Sequence, residues 1–131
     1  ATPADKPTSV QPKQATLENI QAAFESKNTA VLEGYMAPTV LVVYAASEMG
    51  KELPPADAVK AMDYVNSGAV APWDFALSPE ILASYANGDY KQYFTSTTLV
   101  GRASNGFVVA VNFNADGKIS GIFVSASDEL L

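Results

Sequence analysis

Two dipeptides near the C-terminus, Asn105-Gly106 and Asp116-Gly117, constrain the fold more than any other feature of the chain. Each joins a residue that tolerates positive φ to a glycine, the combination that tight hairpin turns demand. They punctuate three strand-like runs at 90–100, 107–114 and 118–126. In the middle run the two-residue period puts Phe107, Val109, Val111 and Phe113 on one face. Val108 and Ala110 fall on the other, so both faces of that strand carry apolar groups to bury. The region predicts a three-stranded antiparallel meander.

Upstream, helical and strand patterns alternate. Thr16 can cap a first helix whose apolar stripe is Leu17, Ile20, Ala23 and Phe24, with Lys27 in its last turn. Residues 30–36 predict a short second helix that ends before Pro38. Residues 40–46 form a nearly continuous β-branched apolar run, the pattern of a well-buried strand. A turn at 48–52 leads into a short second strand or loop. Pro54-Pro55 then starts a third helix over 56–65, with Ala58, Val59, Met62 and Val65 on its apolar stripe. Residues 72–77 read as a strand, and Ser78-Pro79-Glu80 as the start of a short helix that ends at Asn87-Gly88. The fold class is α+β.

Composition narrows the function. The 131 residues make one domain's worth of chain, with 14 acidic and 8 basic side chains, a net charge of -6, no His and no Cys. So few cations argue against nucleic acid and against anionic lipid surfaces as partners. Without Cys there is no thiol nucleophile, disulfide or thiolate metal site, and without His the commonest base and metal ligand are missing. Any proton transfer falls to Asp, Glu or Tyr, and a carboxylate base would need its pKa raised by burial. No stretch approaches the ~20 apolar residues of a membrane span, so no membrane insertion is expected. Residues 1–13, with Pro3, Pro7 and Pro12 among Thr and Ser, have little to bury and predict a flexible spacer ahead of a single domain over 14–131. Such an opening, together with the lack of Cys, suits an extracytoplasmic chain: secreted, periplasmic or anchored through a removed N-terminal segment.

Three pieces carry a family resemblance: residues 24–32, Phe-Glu-Ser-Lys-Asn-Thr-Ala-Val-Leu; Gly50-Lys51-Glu52-Leu53 running into the 55–65 helix; and 111–119, Val-Asn-Phe-Asn-Ala-Asp-Gly-Lys-Ile. In this order the chain resembles the NTF2-like (SnoaL-like, cystatin-like cone) superfamily over 16–127. The resemblance implies N-terminal helices packed on a curved, mostly antiparallel sheet that encloses a conical pocket. Members of that superfamily include isomerases, dehydratases and cyclases as well as non-catalytic carriers and adaptors, so fold alone leaves function open. One departure is the helix at 78–87, which would interrupt the sheet where the family continues with strands.

Four features bear on function. Tyr44, Met62, Trp73 and Phe75 are the expected pocket residues, because the resemblance puts the pocket mouth near 72–75 and rings with a polar tip suit a ligand cavity. Asp63 and Asp74, each beside an aromatic, are the candidates for acid/base work. Residues 112–119 partly match a calcium loop, but Phe123 stands where a bidentate Glu is needed, and a hairpin explains them better. Thr95-Ser96-Thr97-Thr98 predicts a polar row on a solvated edge strand or a protein-contact surface. The leading expectation is non-enzymatic binding of a small apolar ligand or a protein partner, with no cofactor, no metal and no catalytic residue assigned. The alternatives are a small lyase or isomerase using Asp or Tyr, and a structural module that forms a homodimer.

Overall fold

The computed structural model describes residues 12–45, 50–88, 90–95 and 97–127. The C-terminal meander forms as the turn signals predict. Strands β4 (Leu99–Ala103), β5 (Val108–Phe113) and β6 (Ile119–Ser125) pair antiparallel in sequence. Gly106 at φ 93° and Gly117 at φ 75° supply the left-handed positions between them. Asn114 closes the second turn, its Oδ1 accepting from Asp116 N at 2.9 Å and Lys118 N at 3.1 Å.

Before the meander come α1 (Gln14–Ser26), a 3-10 helix (Thr29–Tyr35), β1 (Met36–Tyr44) and β2 (Gly50–Leu53). Then follow α2 (Pro55–Ala61), α3 (Asp63–Gly68), β3 (Trp73–Asp74), α4 (Pro79–Ala86) and a 3-10 turn (Lys91–Tyr93). Six strands make one mixed sheet in the order β2-β1-β6-β5-β4-β3. Its pairings are antiparallel apart from the parallel pair β1 and β6. No helix among the described residues is long and apolar enough to cross a membrane.

Several local expectations need correction. The first helix opens at Gln14 with no side-chain cap, so Thr16 lies within its first turn. The second helix is a 3-10 helix, and Pro38 falls inside β1, where the β1–β6 register breaks between Met36 and Leu41. A break of that kind tolerates a residue with no N–H to donate. The third helix divides at Met62 into α2 and α3. The strand expected over 90–100 starts only at Leu99. Thr98 explains this: its hydroxyl accepts from Thr95 N at 2.9 Å and donates to Asn112 Oδ1 at 2.6 Å, closing a turn in place of a ladder. The polar row is therefore a turn, and Ser96 lies outside the described residues. So do residues 1–11 of the expected spacer, residue 46 at the end of the expected 40–46 strand, and residues 48–49 of the expected turn.

Both faces of the sheet are covered. On one face α1, the 3-10 helix, α2 and α3 bring Ile20, Phe24, Leu32, Met62 and Val65 against Val40, Val42, Val109, Val111, Ile122 and Val124. Each side chain of that size contributes about 1.5–3 kcal/mol by leaving water. On the other face Val43, Val100, Val108, Ala110 and Phe123 are buried by Leu77, Tyr85 and Phe94. Helix α4 thus does not interrupt the sheet. It lies in an excursion between β3 and β4 that caps the second apolar face, while β3 pairs with β4 directly, Trp73 opposite Ala103.

Candidate ligand-binding clefts

The alternation of β1 sends Val40, Val42 and Tyr44 to the helix side of the sheet. Register carries this across to β2, with Val40 opposite Leu53 and Val42 opposite Lys51. Pro54, extended at φ -66° and ψ 160°, and Pro55 in the first helical turn then bring α2 back over the hairpin. The result is a cleft of about 600 Å3 between β1, β2 and α2, lined by Val42, Tyr44, Gly50, Lys51, Leu53, Asp57, Lys60 and Ala61.

Tyr44 is held in this cleft at both its hydroxyl and its ring. Its hydroxyl donates to the Ala61 carbonyl at 3.4 Å. Its ring meets Tyr64 edge-on, centroids 5.1 Å apart at 76°, and Tyr64 in turn packs on Phe107 at 5.5 Å. Burial, and secondarily the neighbouring Tyr64 hydroxyl, push the Tyr44 pKa above its ordinary value of 10.0. At neutral pH Tyr44 is a protonated donor.

A second groove, of about 580 Å3, runs between α1 and β3. Trp73 and Phe75 stack with centroids 5.8 Å apart and planes inclined by 27°, and Phe24 packs on them at 5.7 and 6.2 Å. Gly101 permits this arrangement, because a Cβ there would stand 2.3 Å from the Phe75 ring. Gln14, Gln21 and Glu25 line the facing side of α1, with Leu17 and Leu99 also in the lining. Asp74 accepts a hydrogen bond from Ala76 N at 2.8 Å through Oδ1.

The four expected pocket residues therefore pack around one core but open in different directions. Tyr44 lines the β1–β2–α2 cleft, while Trp73 and Phe75 line the α1–β3 groove. Met62 is fully buried at 0 % exposure and packs within the core. Where a central conical pocket was expected, the space between helices and sheet is filled by Ile20, Phe24, Leu32 and Met62, all below 2 % exposed. Asp63 is exposed at the start of α3, and Asp74 is exposed in the second groove. Sequence reasoning missed Leu53, Lys51 and Lys60, although the parity of β1 carried through a hairpin would have put Leu53 beside Val40. It also missed that Gln14, Gln21 and Glu25 share a stripe of α1, at intervals of seven and four residues.

No protein-family model matches the chain, and no curated protein matches it in sequence. Solved structures do share its fold. A DUF4783 family protein from Bacteroides uniformis ATCC 8492 superposes with a TM-score of 0.57 at 18% identity, over 82% of this chain and 94% of that one. The DUF4783 family protein from Bacteroides fragilis YCH46 gives 0.56 at 18% identity, over 81% and 93%. That from Bacteroides ovatus ATCC 8483 gives 0.55 at 18% identity, over 81% and 90%. At that identity the likeness is one of fold.

Proposed function

We propose that this is an exported binding module of the NTF2-like type that performs no chemistry and takes a small, largely apolar ligand in the β1–β2–α2 cleft. The observation that carries this reading is the lining. Val42, Tyr44, Leu53 and Ala61 offer apolar walls, while Lys51, Asp57 and Lys60 are exposed at the margin. A mainly apolar concavity with a few polar groups at fixed places is the usual make-up of a small-molecule site, and its size falls within the ~300–1,000 Å3 range of such sites. The helix-led element order supports the NTF2-like assignment. Because side chains fill the helix–sheet interior, we put the ligand at this cleft.

Binding without turnover is supported by the chemistry at hand. The chain has neither His nor Cys, Asp63 and Asp74 line no part of this cleft, and Tyr44 is protonated and suited to donating a hydrogen bond rather than accepting a proton. The test is a thermal-shift screen of the full chain against medium- and long-chain alcohols, fatty acids and flat polycyclic compounds. A ligand at 100 times its Kd raises stability by about 2.7 kcal/mol. Leu53→Lys, at the sheet edge, is expected to abolish that shift while keeping the fold. If no compound moves the melt, the reading fails and contact with a protein partner leads. Consumption of a compound, lost in Tyr44→Phe, would favour a lyase or isomerase.

A further inference from the structure

We propose that the α1–β3 groove is a second, separate site that binds a neutral saccharide. One wall is aromatic, and the exposed part of its half-buried Trp73 and Phe75 rings serves as the platform. Trp73 and Phe75 are stacked, and Phe24 packs against both rings. The bare backbone of Gly101 lets Phe75 seat closely on β4. The platform is thus held in place by the core before any ligand arrives, which lowers the ordering cost of binding. Ring faces carry the negative side of the aromatic quadrupole and attract the C–H groups on the apolar face of a sugar.

The opposite wall supplies what the rim of a sugar needs. Gln14 and Gln21 each bring a carboxamide that both donates and accepts, and Glu25 brings acceptor oxygens. These three are on one stripe of α1, and Gln14 and Glu25 are exposed. A sugar ring presents an apolar face and a belt of hydroxyls at once, which matches a platform facing two amides and a carboxylate. Charge selects within this class. No Lys or Arg is among the described residues that line the groove, and Glu25 and Asp74 both do. Phosphates, nucleotides and acidic sugars are therefore disfavoured, and a neutral saccharide is the occupant.

Trp73 is the chain's single Trp, so its emission reports this groove alone. The full chain is titrated with cellotetraose, maltotetraose, xylotetraose and mannotetraose while Trp73 fluorescence is followed. At least one is expected to produce a saturable change with a Kd of about 1 mM or tighter. Replacing Gln21 and Glu25 together by Ala, at helix positions that leave the platform intact, is expected to weaken it about tenfold, with the melting temperature preserved. Tyr44→Phe and Leu53→Lys, in the other cleft, are expected to leave it unchanged. The proposal is overturned if none of the four sugars alters the emission. A response that survives unchanged in the double variant also overturns it, as does choline, a cation suited to acids beside aromatics, binding where the sugars do not.

Discussion

The ring of Phe75 packs against the backbone of Gly101 so closely that a Cβ at that position would meet ring atoms at 2.3 and 2.7 Å. Gly101 is buried in β4 opposite Val109 and has an ordinary strand conformation, so its glycine is required by space rather than by backbone angle. Gly101→Ala is expected to destabilise the fold by about 1–3 kcal/mol, the usual cost of overpacking. Combining it with Phe75→Leu, which shortens the opposing side chain, should recover part of the loss. Chemical denaturation of both variants measures this, and additive losses would show that the two residues are not coupled.

Met62→Ala probes the core at the break between α2 and α3. The side chain is fully buried, and its truncation is expected to cost about 2–5 kcal/mol. A change under about 1 kcal/mol in urea unfolding would mean that the helices collapse onto the vacated space.

Tyr85→Phe should go the other way. The Tyr85 hydroxyl is buried against the second face with no hydrogen-bond partner among the described residues. An unmatched buried polar group costs about 1–3 kcal/mol, so removing the oxygen while keeping the ring is expected to raise the melting temperature. A clear loss of stability would reveal a partner for that hydroxyl.

The pH profile carries the signature of Tyr44. Its pKa is raised in the fold, first by burial and then by the Tyr64 hydroxyl, so the native state holds this proton more tightly than the unfolded chain does. Its contribution is therefore complete below the unfolded value near 10.0 and is lost as pH rises through the folded value. Alkaline denaturation followed by tyrosinate absorbance should show a late phase from Tyr44, which Tyr44→Phe should remove. Between about pH 5 and 8, where only His and Cys ordinarily titrate and the chain has neither, stability should stay nearly level.

Ser78 tests the local reading of α4. Its side-chain oxygen accepts from Ile81 N at 3.3 Å, so Ser78→Ala should cost about 1 kcal/mol. A neutral result in thermal melts would mean that packing of Ile81, Tyr85 and Ala86 holds the helix without the cap.

What the sequence determined by itself was local and periodic. The two turn dipeptides, the alternation of β5 and the Ser78-Pro79 helix start depend on backbone angles and neighbouring groups, which a few consecutive residues specify. The apolar groups on both faces of the 107–113 run likewise announced a sheet covered on two sides. Tertiary structure decided the rest, because it turns on which residues meet across long stretches of chain. Thr98 could have continued a strand until Asn112, fourteen residues on, offered its side-chain oxygen. Asn105 marks a turn in sequence, yet in the fold its amide also donates to Gly68 O at 2.8 Å and its oxygen accepts from Val70 N at 3.3 Å, tying the hairpin to the end of α3. The apolar stripe of the third helix already marked Met62 for the core, but nothing local set Tyr44 apart from Trp73 and Phe75. Only the packing of α1, α2 and α3 on one sheet face divided these three between two clefts, since a side chain's exposure is set by the neighbours that the whole fold brings to it.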